Sequence, residues 1–195
     1  GGQILRTAIA FSAALQEPVS IKNIRANRKP PGLRAQHLHA VKAVADLTSA
    51  NVEGAELGST HLEFEPEPPH AGQFNVDIGT AGSIALVLQA MIPAMAFGPA
   101  ETVATLTGGT NNPMAPTIDF QQTALMPTVA KMGVQTSLTL LRRGFYPRGG
   151  GIVEAAVTPV PHLHPIRMEE FDKAERISGI SYSSQLPGHI VERMA

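Results

Sequence analysis

The sequence has no cysteine, no long apolar run and almost no net charge, and each of these absences excludes a class of protein. Without cysteine, the chain can form neither a disulfide framework nor a thiolate metal site. The apolar stretch 84–97 is interrupted by Gln89 and Pro93 and is too short to span a bilayer, so no membrane partner is expected. A net charge of −1 argues against a protein that coats long nucleic acids. The 195 residues, 43% hydrophobic and 16% charged, are typical of a globular protein.

The charges that are present are distributed unevenly along the chain. Acidic residues concentrate between two basic segments. Local basic pockets on a neutral body suit the recognition of a phosphorylated end better than the recognition of a nucleic-acid backbone. The first basic segment contains Lys22, Arg25, Arg28, Lys29 and Arg34, and the second contains Arg142, Arg143 and Arg148.

Two segments near the N-terminus have the pattern of an anion site. The first, Gly-Gly-Gln-Ile-Leu-Arg at 1–6, places Gln3 and Arg6 at the start of a predicted helix, where free N–H groups and the helix dipole favour an anion. The second, 25–37, gathers arginines around a Pro-Pro-Gly turn and ends with Gln36 and His37 in the first turn of another predicted helix. Guanidinium groups bind phosphate through paired hydrogen bonds and keep their charge. Together the two segments predict a protein that holds a terminal phosphate.

The order of predicted elements indicates a repeated α/β unit. Apolar spacing predicts helices over 3–16, 34–50, 81–95 and 117–132. Alternating or β-branched stretches predict strands near 19–24, 60–64, 102–106, 135–141 and 151–158, with a loop over 66–72. The first helices of the two units begin near 2 and 80 and the second helices near 34 and 116, an offset of about 80 residues. Each unit needs helices over its sheet, so the fold class is α/β (or α+β).

Several sequence blocks carry a specific resemblance. They read EGAELGST at 53–60, DIGTAGS at 77–83, LVLQ at 86–89, GGTNNPMAPTIDF at 108–120 and RGFYPRGGG at 143–151. With these blocks in this order, the chain resembles the RNA 3′-terminal phosphate cyclases from residue 1 to about residue 160. The resemblance implies units of two helices on a four-stranded sheet, an architecture shared with enolpyruvyl transferases.

The resemblance also predicts a domain organisation. Residues 1–165 would form the large domain, with repeat units over about 1–65 and 78–158. Residues 166–195 would begin the small domain that the family inserts. A first strand before Gly1 and the family's C-terminal third are expected to lie outside this chain.

The family's binding residues have counterparts at specific positions. The resemblance implies that Gln89 and Pro116 contact the nucleotide, and Gln89 is expected to be a buried glutamine that needs partners. Pro116 is expected at the start of a helix. The family's nucleophilic histidine is expected beyond residue 195, and no metal ligand can be assigned. The residues implied to contact the RNA end are Gln3, Arg6, Arg25, Arg28, Gln36 and His37.

The implied activity is the ATP-dependent conversion of an RNA 3′-phosphate to a 2′,3′-cyclic phosphate, a ligase-class step in RNA processing in the cytoplasm. In the family it proceeds through enzyme–AMP and RNA–adenylate intermediates, and a divalent cation, Mg²⁺, is expected with ATP. Two alternatives share the architecture. One is the non-catalytic cyclase-like protein of ribosome assembly, which departs from the cyclase pattern at the Gln-His pair and at the GTAGS block that this chain keeps. The other is an enolpyruvyl transferase, which lacks the 25–37 pattern.

Overall fold

The computed structural model describes residues 1–169 and 176–195. Those residues form two compact units, Gly1–Pro165 and Ile166–Ala195. In the second unit, the described residues before the helix α6 (Gly188–Met194) have no regular secondary structure. That this unit begins an inserted domain stays a prediction. None of the helices in the described part of the chain is long and apolar enough to cross a membrane.

The first unit contains two sheets, and its helices come before or between the strands along the chain. The first repeat consists of α1 (Gly2–Leu15), β1 (Val19–Ile21), α2 (Ala35–Thr48), β2 (Asn51–Glu53) and β3 (Leu62–Glu65). The second repeat consists of β4 (Gly72–Asp77), α3 (Ile84–Ala96), β5 (Thr102–Gly108), α4 (Ile118–Phe120), a π-helical turn (Gln121–Leu125), α5 (Met126–Ala130), β6 (Gln135–Arg142) and β7 (Gly151–Thr158).

Three strands of each sheet follow the same order, as the predicted repeat requires. The first sheet is ordered β1-β3-β2 and the second β4-β5-β7-β6. β5, β7 and β6 therefore correspond to β1, β3 and β2, and all of these neighbours are antiparallel. β1 and β5 begin at 19 and 102, and α2 and α4 begin at 35 and 118, an offset of 83 residues in both cases. The first sheet has three strands among the described residues, so the prediction of four strands fits the second repeat alone.

The core lies where α1, α2 and α3 pack against one another and against the sheets. α3 is apolar around most of its circumference, and Leu88, Met91 and Met95 on it are completely buried. Replacing one such side chain by alanine costs about 2–5 kcal/mol through lost burial and a residual cavity. The packing of these three helices fixes the positions of the helix N-termini that carry the candidate site.

The structure differs from the sequence prediction in its strands. β2 and β4 were absent from the predicted elements, and β4 begins at Gly72, the last residue of the predicted loop. β4 has the alternation of a half-buried strand, with Phe74 and Val76 turned inward, but it directly follows a proline-rich loop. β1 ends at Ile21 rather than at Ile24 because Asn23 adopts a left-handed backbone conformation, with φ 56°.

The predicted helix 117–132 is interrupted by a π-helical turn. Pro127 lacks the N–H group that an α-helix needs at that position. The N–H of Met126, just before it, bonds instead to the carbonyl of Gln121, five residues back. The regular helical pattern resumes only for the short α5.

Candidate functional site

Arg6 is a buried cation without a hydrogen-bond or ion-pair partner among the described residues. It lies on the inward face of α1 and is 8% exposed. None of the described residues accepts a hydrogen bond from its Nε, which is buried. Burial lowers the pKa of the guanidinium, but no protein ion pair compensates the charge. Buried donors in folded proteins are normally paired, so this group is suited to an anionic ligand.

His37 lies in the first turn of α2, next to Arg6. The backbone N–H of Arg34 donates to its Nδ1 at 3.3 Å. Burial, followed by the charges of Arg25 and Arg6, lowers the pKa of His37 to about 4. The ring is therefore neutral near neutral pH. Because Nδ1 accepts a hydrogen bond, the proton of the neutral ring is on Nε2.

Residues 23–34, which we call the basic loop, are anchored at both ends. Ile24 and Leu33 are buried, and their N–H groups donate to the carbonyls of Thr60 and Ser59 at 2.9 Å. Gly32, with φ 76°, packs so closely on the backbone of Gly58 that any side chain would overlap it. The loop is thus held in a defined position relative to the first sheet.

Arg25 stabilises the basic loop through its own side chain. It adopts a left-handed φ of 52°, which costs roughly 1–2 kcal/mol in a residue with a side chain. Its guanidinium donates to the carbonyls of Pro30 and Gly32 at 3.2 and 2.7 Å. Arg28 and Lys29 point to solvent from the same loop.

A cavity of about 450 Å³ lies beside the basic loop, and two of the sequence-predicted residues, Arg25 and Arg28, line it. Arg25 and Arg28 line it together with Gly1, at the start of α1. Gly2, the next residue, lies against the ring of His37. The structure therefore brings Arg6, His37 and both loop arginines to one region. The cavity is lined by Gly1, Asn23, Arg25, Ala26, Asn27 and Arg28.

Gln3 and Gln36 flank this region. Gln3 is exposed in the first turn of α1, one turn before Arg6. Gln36 is half-buried, and a Cβ built on Gly82 would lie 3.5 Å from its Cβ. The turn 77–83 is thereby placed against the start of α2. Within that turn, Ser83 caps α3.

The structure corrects the expectation for Gln89. Its side chain is exposed on α3 rather than buried. The buried glutamine is Gln121, in the π-helical turn, whose Nε2 donates to the carbonyl of Ala85 at 2.9 Å. Pro116 is half-buried and precedes α4, but it is not the first helical residue, because Thr117 is the N-cap and accepts from the N–H of Phe120.

One polar network near Pro116 was missed by the sequence reasoning. Arg143 had been grouped with a basic segment, but it forms an ion pair with Asp119. Asn111 joins the pair by donating to Asp119 and accepting from Arg143. These residues are 24 and 32 positions apart from Arg143, so no local pattern pairs them. Arg148, in contrast, is exposed.

The described residues contain no group of three or more histidine or acidic side chains placed to hold a metal ion. His162 and His164 stack edge to face, with ring centres 4.8 Å apart. Asp119, on α4, forms an ion pair with Arg143. Residues 1–169 and 176–195 therefore suggest no divalent-cation site of their own.

Comparisons with known proteins agree on one family. A family model described as RNA 3′-terminal phosphate cyclase matches residues 1–193. Curated proteins with that name are similar along the whole chain: one from Pyrobaculum aerophilum is 49% identical over 195 residues, and one from Hyperthermus butylicus is 50% identical over 196. A third, from Pyrococcus furiosus, is 49% identical over 195. The chain spans 56%, 55% and 57% of these three relatives, so it covers little more than half of their length.

Proposed function

The chain belongs to the RNA 3′-terminal phosphate cyclase family, and on this basis we propose that the whole protein converts an RNA 3′-phosphate into a 2′,3′-cyclic phosphate with ATP. The residues described above form the part of the site that binds the RNA end. ATP supplies the activation that makes the terminal phosphate susceptible to attack by the neighbouring 2′-hydroxyl. The nucleophilic histidine remains predicted outside residues 1–195, so this chain contributes binding groups.

The observation that supports this proposal most directly is the unpaired guanidinium of Arg6. A buried cation without a carboxylate partner is unfavourable in the absence of a ligand. A terminal phosphate carries the charge and the several acceptor oxygens that such a group requires. An RNA backbone phosphate would not reach a site of this kind as readily as a chain end, because it is flanked by nucleotides on both sides.

The basic loop supplies the remaining charge. Arg25 is held by its own loop carbonyls, which fixes the orientation of its guanidinium. Arg28 is exposed at the cavity and is free to fold onto the phosphate. We assign Gln3 and Gln36 to the edges of the site, where their amide groups can contact ribose hydroxyls. Positive groups around the phosphate also lower the cost of bringing a second phosphorylated group close to it.

The nucleotide part of the proposal rests on Gln89 and Pro116. Gln89 is exposed, so its amide group is available to a ligand. Pro116 is half-buried, and Phe120, four residues later in the chain, has an exposed ring. We propose that these residues contact ATP and that Mg²⁺ is bound mainly through the nucleotide phosphates, as is usual for this cation. A cytoplasmic location is part of the same proposal.

The direct test is the conversion of a labelled oligoribonucleotide with a 3′-phosphate by the whole protein with ATP and Mg²⁺. The expected product is resistant to phosphatase, because a cyclic diester has no terminal phosphate to remove. An identical RNA with a 3′-hydroxyl end is the matched control. If the 3′-phosphate stays sensitive to phosphatase at all ATP concentrations, the proposal fails and the non-catalytic cyclase-like role is favoured.

A further inference from the structure

Gly2 lies directly against the imidazole ring of His37. A Cβ built on Gly2 would overlap Nε2 of His37 and would lie 2.8 Å from its Cδ2. Gly1, by contrast, has nothing within 4 Å of such a Cβ. A side chain at position 2 would therefore collide with His37, whereas a side chain at position 1 would not, and this difference can be tested.

The backbone conformation does not require glycine at position 2. Gly2 is the first residue of α1 and is not among the residues with positive φ. Alanine favours a helix more than glycine does, so Gly2 carries an unfavourable helix propensity. The close approach of His37 is the feature of the structure that accounts for a glycine here.

The other side of the ring is held by the start of α2. Arg34 N–H donates to Nδ1 at 3.3 Å, which leaves the proton of the neutral ring on Nε2. No acceptor among the described residues bonds to that Nε2–H. The ring is thus held at Nδ1 and presents one unused donor, beside Gly2.

The charged side chains that act on the His37 ring in the described part of the chain are cationic. They are the guanidinium groups of Arg6 on α1 and of Arg25 and Arg34 at the basic loop. They disfavour an imidazolium and keep the ring neutral. The same groups attract an anion, so the unused Nε2–H and the unpaired Arg6 point to one ligand.

We propose that Gly2 is a positioning residue: its missing side chain leaves the space in which His37, as a neutral imidazole, directs Nε2–H at the terminal phosphate. This inference rests on the proposed function for the identity of the ligand. Its geometric part does not depend on that function. A side chain at position 2 would displace the ring, break the bond from Arg34 and turn Nε2–H away.

The first experiment measures the tautomer. In ¹⁵N-labelled protein, long-range ¹H–¹⁵N correlation spectra distinguish Nε2–H, Nδ1–H and the imidazolium. At about pH 7, we expect His37 as the neutral Nε2–H tautomer in the native protein and in Gly1→Ala. In Gly2→Ala, we expect changed His37 ring shifts and a higher pKa, because the ring moves toward solvent. An Nδ1–H tautomer or an imidazolium in the native protein would overturn the proposal, and this result needs no variant.

The second experiment measures binding of an oligoribonucleotide with a 3′-phosphate. Gly2→Ala should weaken binding about tenfold or more, as expected for the loss of a hydrogen bond to a charged group. Gly188→Ala, at the first residue of α6, places a Cβ with nothing within 4 Å and should bind normally. In a His37→Ala background, Gly2→Ala should add no further loss, because its effect acts through the ring.

The outcomes separate the two proposals. If the native protein binds 3′-phosphate and 3′-hydroxyl RNA equally, the proposed function fails, and the spectra alone decide the geometry. If the native protein prefers the 3′-phosphate but Gly2→Ala binds as well as Gly188→Ala, the positioning role of Gly2 is wrong. An additive loss in the His37→Ala background would also contradict it.

Discussion

Arg143 and Asp119 form a bidentate ion pair, with N–O distances of 2.6 and 2.8 Å. The pair connects the loop after β6 to the first turn of α4. Asn111 bonds to both partners, so the segment after β5, the first turn of α4 and the segment after β6 meet at one point. Pro116 lies three residues before Asp119, on the short segment that this pair holds. We infer that the pair sets the position of the proposed nucleotide contact without touching the nucleotide.

Arg143→Lys is expected to raise the ATP concentration needed for half-maximal activity several-fold. Lysine keeps the charge, but it cannot match both carboxylate oxygens at once. Thermal stability should change little, by about 1 kcal/mol or less, because both side chains are about one third exposed. The measurement is the ATP dependence of cyclisation at saturating RNA.

Arg148→Lys is the control for that substitution, since Arg148 is exposed nearby in the chain. It should leave the ATP dependence unchanged. Equal effects of the two substitutions would contradict a positioning role for the Arg143–Asp119 pair.

Substitutions at two glutamines distinguish an effect on nucleotide binding from an effect on the stability of the fold. Gln89→Ala should raise the ATP requirement and leave the free energy of unfolding unchanged, because the side chain is exposed. Gln121→Ala should lower the free energy of unfolding by about 1–3 kcal/mol, because it removes a buried hydrogen bond to Ala85 and leaves a cavity. Urea denaturation and ATP titration of both variants check this. Unchanged ATP dependence in Gln89→Ala would remove Gln89 from the nucleotide site.

His37 should make the stability of the fold depend on pH. Its pKa falls from 6.5 to about 4 in the folded state, chiefly through burial. Between these values the unfolded chain binds the proton more strongly than the folded protein does. The contribution of the neutral His37 ring to the free energy of unfolding is therefore full above pH 6.5. It decreases as the pH falls through 6.5 and levels off below about 4.

Urea denaturation at a series of pH values, for the native protein and for His37→Gln, isolates this contribution. As the pH falls from 7 to 5, the free energy of unfolding of the native protein should decrease relative to that of His37→Gln. Parallel pH curves for the two proteins would show that the ring is not held neutral by the fold.

Arg28 should matter for the RNA end and not for the nucleotide. Arg28→Ala is expected to slow cyclisation about ten- to a hundredfold, the cost of one charge-assisted contact of roughly 1.5–3 kcal/mol. Formation of the protein–AMP adduct should be much less affected. Lys42→Ala removes the same charge from an exposed position of α2 and should be neutral in both assays. A loss of both activities in Arg28→Ala would place Arg28 near the nucleotide instead.

The sequence predicted the order of the helices and strands and placed Arg6 and His37 near helix starts, because both depend on local patterns. Helix starts, strand alternation and the position of each residue relative to its own helix start can be read within a few residues. The exposure of Gln89 could not be predicted, since α3 is apolar on nearly every side and its pattern does not define an inward face. The partner of Arg143 could not be predicted either, because the pair joins residues 24 positions apart across two elements.

The left-handed residues of the basic loop were also not evident from the sequence. Asparagine adopts positive φ more readily than most residues, and Asn23 does so, but Asn27 does not and Arg25 does. Arg25 is held there by hydrogen bonds from its own guanidinium to Pro30 and Gly32. Such a conformation depends on contacts within the folded loop and outweighs the intrinsic preference of arginine.

The most direct test of the account is the affinity of the protein for one short RNA with a 3′-phosphate and for the same RNA with a 3′-hydroxyl, measured at one fixed salt concentration. The account predicts at least about tenfold tighter binding of the 3′-phosphate, because Arg6 and the basic loop contact that group. Arg6→Gln should abolish most of this preference while leaving the weak binding of the 3′-hydroxyl RNA. Equal affinities for the two RNAs would contradict the claim that these residues recognise a terminal phosphate.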